Sequence, residues 1–158
     1  MQFQITSPSC LTFSETGFGI VMPVFIYSYK RKQMNKKIPE NYQTVMPYLV
    51  LANAADFSRF MQKVFEAKET YRELRDDGKI AHAELMIGGS TIMFADHTDI
   101  HKTKPGNLFI YVDNVDETYR KAIEAGGKSV REIADLPFGR NGGIADPFGN
   151  NWWITSPL

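Results

Sequence analysis

From Thr44 onward the spacing of apolar residues alternates between two periods, and the alternation runs in the same order twice. "TVMPYLVL" is a short apolar run of the kind that forms a buried strand. In "NAADFSRFMQKVFEA" the residues Phe57, Phe60, Met61, Val64 and Phe65 fall at i, i+3, i+4, i+7 and i+8. That spacing makes one apolar stripe on a helix, and Asn53 is placed to cap it. Three strands are predicted next, "KETYRELRDD", "KIAHAELMI" and "STIMFAD". Asp77-Gly78 and Gly88-Gly89 supply the hairpin turns between them. The order then recurs. "NLFIYV" is a strand, and "NVDETYRKAIEAGG" is a helix with Val115, Tyr119, Ala122 and Ile123 on one face. "KSVREIAD", "NGGIAD" and "NNWWITS" follow as strands.

The recurrence reaches individual residues. Asn53 and Arg59 have counterparts in Asn114 and Arg120, and "YREL" at 71–74 in "VREI" at 130–133. The pattern predicts an α+β fold: two tandem βαβββ modules, about 44–98 and 107–158, forming a curved, trough-like mixed sheet with helices outside. Alternation along each strand predicts which side chains face the trough. His82, Glu84 and Met86 share one face of their strand, and Ala83, Leu85 and Ile87 lie under a helix. Met46, Tyr48 and Val50 face inward from the first strand, and Asn107, Phe109 and Tyr111 from the fifth. On the last strand Asn151, Trp153 and Thr155 face in, and Trp152 belongs to the helix-side core.

Residues 1–43 break the pattern and read as an irregular N-terminal extension. The first charge is Glu15, and the apolar run from Phe18 to Tyr29 holds Pro23 and lacks the basic flank of a signal peptide. It is also shorter than the ~20 apolar residues of a membrane span. Met34 is the expected natural start. Eighteen basic residues balance eighteen acidic ones. This balance argues against nucleic-acid and membrane-surface partners, which demand a basic excess. A single cysteine, Cys10, allows no internal disulfide and fits a reducing, cytoplasmic setting.

Chemistry concentrates on a few inward positions. His82 and Glu84 stand at i and i+2 on one strand, so they can act as a base and its partner or as a structural hydrogen-bonded pair. Tyr48, Phe109, Tyr111 and Trp153 can line an aromatic pocket. Arg140, between glycines, is a candidate for an anionic ligand group. "DHTDIH" at 96–101 gathers His97 and His101 with two aspartates, but in a loop between modules that reads as solvated. No phosphate-binding loop and no nucleophile–base–acid arrangement is present in the sequence pattern.

"MPYLVLANAADFSRFMQKVF", "HAELMIGGSTIMFAD", "LFIYVDNVDETYRKAIEAGG" and "FGRNGGIADPFGNNW" together resemble the vicinal oxygen chelate superfamily. That superfamily includes glyoxalase I, bleomycin-resistance proteins and extradiol dioxygenases, and the resemblance is to its PhnB-like branch. It covers about residues 44–158. It implies paired modules, a homodimer and a trough for small molecules. Metal-dependent members carry ligands at four inward positions, which by motif fall on Met46, Glu84, Asn107 and Trp153. Only the glutamate is a strong ligand for the ions involved. No metal and no other cofactor is therefore expected. The resemblance implies a binding protein of the glyoxalase/bleomycin-resistance type for an aromatic or amphipathic molecule, with Met46, Tyr48, Asn107, Phe109, Tyr111, Arg140 and Trp153 as ligand-contacting residues. The alternatives are a metal-dependent lyase, isomerase or dioxygenase using Glu84 and His82, and an interaction module with a vestigial trough.

Overall fold

The computed structural model describes residues 37–157. Cys10, the residue 1–33 segment and the Met34 start lie outside that range. The described chain forms β1 (Tyr48–Leu51), α1 (Ala54–Phe65), β2 (Lys68–Leu74), β3 (Ile80–Ile87) and β4 (Ser90–Asp96). It continues with β5 (Asn107–Tyr111), α2 (Val115–Glu124), β6 (Lys128–Leu136), β7 (Gly139–Ala145) and β8 (Asn151–Ser156). This is βαβββ twice. Each module makes a mixed four-stranded sheet, ordered β1-β4-β3-β2 in the first and β5-β8-β7-β6 in the second. β1 runs parallel to β4 and β5 parallel to β8; the other neighbours are antiparallel.

Local chemistry explains the element ends. Asn53 and Asn114 cap their helices, accepting from the amides of Asp56 at 3.3 Å and Glu117 at 3.0 Å. Both residues of the Gly88-Gly89 turn have positive φ, 51° and 82°, which a tight β3–β4 hairpin of this kind requires. The first strand is shorter than its apolar run, starting at Tyr48 rather than Thr44. Pro47 has no N–H to add to the ladder, and only its carbonyl takes part, accepting from the Met93 amide at 2.9 Å.

The apolar stripes of both helices and the aliphatic faces of both sheets merge into one core. α1 and α2 touch each other as well as their own sheets. Phe57 meets Phe94 edge-on at 5.3 Å and Phe148 at 5.6 Å. Across the modules, Phe65 of α1 lies 4.9 Å from Trp152 of β8. Trp152 is 1 % exposed. Its indole N–H donates to Asp146 at 2.9 Å. No helix among the described residues is long and apolar enough to cross a membrane.

The two tryptophans of β8 therefore differ in what their removal costs. Trp152→Ala opens a void in the shared core and is expected to cost about 3–5 kcal/mol. Trp153→Ala, at a half-buried position on the other face, is expected to cost less than half as much. Equilibrium urea unfolding of the two variants measures this, and equal losses would contradict the assignment of the two faces.

Candidate functional site

The sheet faces turned away from the helices are built from cross-strand rungs. In the first module one rung runs Tyr48, Met93, Glu84, Tyr71 across β1, β4, β3 and β2. In the second the matching rung runs Phe109, Trp153, Gly143, Arg131 across β5, β8, β7 and β6. The modules are thus related residue by residue. The counterpart of Trp153 is Met93, and the counterpart of Glu84 is Gly143. Glu84 therefore stands on β3, one strand away from the position equivalent to Trp153.

In the first module Glu84 is buried and accepts hydrogen bonds from side chains only. The Tyr42 hydroxyl lies 2.9 Å from both carboxylate oxygens. His82 Nε2 lies 3.2 Å from Oε1. His82 Nδ1 is 3.4 Å from the Tyr48 hydroxyl. The His82 ring sits between those of Tyr48, stacked at 5.7 Å, and Tyr71, tilted at 5.8 Å. By holding the phenol proton, Glu84 raises the Tyr42 pKa above the usual phenol value.

Tyr42 reaches Glu84 because the chain ahead of β1 is tied to the β3–β4 hairpin. The Gln43 side chain donates to the Gly89 carbonyl at 2.9 Å and accepts from the Thr91 amide at 2.9 Å. The Thr91 hydroxyl donates to the Asn41 carbonyl at 2.7 Å. Tyr42, Tyr71, Met93 and Arg131 are residues of these faces that sequence reasoning missed. Tyr71 and Arg131 lie in the repeated strings "YREL" and "VREI", but there Tyr71 aligns with Val130; register shifts in β2 and β6 put the rung one residue out of step with the strings. Tyr42 lies in the stretch read as an irregular extension.

In the second module the wall is aromatic. Phe109 lies 5.2 Å from Tyr111 and 6.5 Å from Phe138, and these three rings are 52 %, 64 % and 55 % exposed. Trp153 lies over Gly143, where an added Cβ would come within 2.7 Å of the indole. Asn107 accepts from the Asn151 side chain at 3.1 Å. Thr155 is buried and accepts from Asn141 at 2.8 Å.

Arg140 is not brought together with the others. Its guanidinium donates to both carboxylate oxygens of Asp116 on α2, at 2.7 and 2.8 Å, and to Asp135 at 2.8 Å. Those carboxylates raise its pKa, and Arg140 in turn holds the Asp116 carboxyl below its usual range. It joins β7 to α2 and β6 and has no free fork for a ligand anion. His101 is exposed at the rim of an open cavity of about 490 Å³ lined also by Tyr48, Val50, Arg75 and Ala95. A second, largely apolar cavity of about 420 Å³ lies between the chain ahead of β1, the β3–β4 hairpin and β5, among Val45, Pro47, Ile87, Leu108 and Phe109.

Of the four positions the resemblance implies for a divalent metal, Glu84 alone offers a strong ligand. Met46 and Met93 offer thioethers, Asn107 a neutral amide already hydrogen-bonded, and Trp153 no lone pair at all. Among the described residues no three of His, Cys, Asp or Glu come together as a metal-holding group.

Comparison with known proteins agrees with this architecture. The sequence profile of the Glyoxalase/Bleomycin resistance protein/Dioxygenase superfamily matches residues 45–154. An uncharacterized protein of Mycobacterium tuberculosis, Rv0887c, is 34 % identical over 125 residues, covering 71 % of this chain and 73 % of that one. The PhnB protein from Bacillus cereus, a putative 3-demethylubiquinone-9 3-methyltransferase, has a similar structure. Its TM-score is 0.61 at 19 % identity, over 72 % of this chain and 99 % of that one. TnmS3, an antibiotic binding protein from Streptomyces sp. CB03234, gives a TM-score of 0.60 at 15 % identity, over 80 % and 100 % of the two chains. With two βαβββ modules in register and a profile match across both, the chain belongs to the glyoxalase/bleomycin resistance protein/dioxygenase superfamily, with PhnB-like proteins among its structural neighbours.

Proposed function

We propose that this protein binds a small aromatic or amphipathic molecule on its inward sheet faces without the family metal. The carrying observation is the aromatic wall of the second module, where Trp153 occupies an inward place on the last strand and exposed Phe109, Tyr111 and Phe138 continue the surface. Aromatic walls bind planar apolar ligands through buried area and ring stacking. The superfamily includes small-molecule binders, and TnmS3 is described as an antibiotic binding protein. A second reading, metal-independent proton abstraction by Glu84 with His82 beside it, is favoured by their 3.2 Å contact. The donors beside that pair are the Tyr42 and Tyr48 hydroxyls, 2.9 Å from Glu84 and 3.4 Å from His82, and among the described residues no Lys or Arg pairs with Glu84.

A single chain leaves both inward faces open: Tyr48 and Tyr71 in the first module are 51 % and 48 % exposed, like the rings of the second. Contiguous apolar surface of this kind marks an interaction site. A two-fold homodimer that sets the faces of two chains against each other closes the trough.

Three outcomes are expected. Aromatic compounds that bind will quench tryptophan fluorescence, and Trp153→Ala will weaken them at least tenfold while leaving the fold intact; unchanged affinity would count against the proposed wall. Adding Zn, Ni or Mn will leave the melting temperature unchanged. A tightly held metal at a thousandfold excess over its dissociation constant would add ~4 kcal/mol, or roughly 10 °C for a domain of this size. Light scattering at micromolar concentration will give the mass of two chains, and a monomeric mass would remove the closed trough.

A further inference from the structure

We propose that the first-module face around Glu84 binds an organic cation, an ammonium group carried on an apolar or aromatic body. This rests on the small-molecule reading above and names the ligand class for that half of the trough.

The described part of the chain buries three carboxylates, and they are satisfied in different ways. Asp96 accepts from the backbone amides of Ala54 at 2.9 Å and Ile80 at 2.8 Å. Asp146 accepts from two backbone amides and two side chains. Both are fixed parts of the fold. Glu84, 7 % exposed, takes no backbone donor, and no Lys or Arg pairs with it among the described residues. Its partners are a phenol and an imidazole, both on the inward face. A buried carboxylate is costly unless a positive partner or several donors compensate it.

The surroundings suit a large soft cation better than a hard small one. Tyr71 is the cross-strand neighbour of Glu84, Met93 flanks it on the other side, and Tyr48 follows Met93. The Tyr48 and Tyr71 rings are half exposed, and a cation within about 6 Å of such a ring is attracted by its quadrupole. The Tyr42 hydroxyl brings Glu84 a donor but no positive charge; an arriving ammonium supplies that charge, and a quaternary one does so through Coulomb attraction and the ring faces alone. Tyr48 also borders the cavity of about 490 Å³ described above, which accepts the apolar body of the ligand.

The test is isothermal titration of the full chain with benzyltrimethylammonium and, as neutral counterpart, benzyl alcohol. Saturable binding of the cation is expected, with the alcohol at least tenfold weaker. Glu84→Gln should weaken the cation at least tenfold and leave the alcohol unchanged, which also reports an intact fold. Tyr71→Leu, on the open face, should weaken the cation severalfold. Tyr42→Phe should bind it at least as tightly as the wild type. Equal affinity for the two probes, or a cation affinity indifferent to Glu84→Gln, would overturn the inference. If neutral aromatics bind beside Trp153 while the cation has no advantage, this inference fails and the small-molecule reading stands. If no aromatic compound binds at all, both fail.

Discussion

The carboxylate of Asp146 holds the second module's site in register. Its Oδ1 accepts from the amides of Phe148 at 2.9 Å and Asn150 at 2.8 Å, closing the Asp146-Pro147-Phe148-Gly149 turn. Its Oδ2 accepts from the Asn150 side chain at 2.8 Å and from the Trp152 indole at 2.9 Å. Four donors on one buried carboxylate fix where β8 begins and which of two adjacent tryptophans turns toward the core. Strand side chains alternate, so a slip of one residue would send Trp152 outward and Trp153 inward to the helices. The aromatic wall depends on that single anchored turn.

Asp96 plays a comparable part in the first module, bonding the start of α1 and the start of β3 from the end of β4. The two modules share a plan but not the identity of their anchors. The rungs they carry also differ: Tyr48, Met93, Glu84 and Tyr71 on one side, Phe109, Trp153, Gly143 and Arg131 on the other. One face holds a buried anion among phenols, the other an indole lying over a glycine. The duplicated scaffold thus carries two chemically unlike faces.

Most of the architecture was legible in the sequence, because periodicity is a local property. The stripe from Phe57 to Phe65 and the alternation through His82, Glu84 and Met86 required no knowledge of distant contacts. The site was less legible wherever it depended on pairing. Arg140 looked free, since Asp116 lies 24 residues earlier and only the packing of α2 on β7 brings them together. Tyr42 looked like part of a tail, because its place is set by Gln43 bonding a hairpin 46 residues away. The equivalence of Trp153 with Met93 appears only when strands are laid side by side, since register is not written in either strand alone.

Gly142 and Gly143 couple the sheet to a ring on each of its faces. A Cβ on Gly142 would meet the Tyr119 ring at 2.9 Å on the helix side, and one on Gly143 would meet Trp153 at 2.7 Å on the other. The sheet here is bare backbone pressed between two rings. A side chain at position 143 requires the indole at 153 to move, so the two positions are sterically coupled across the sheet. The shape of the wall is thus set as much by the bare backbone at 143 as by the ring that lies over it.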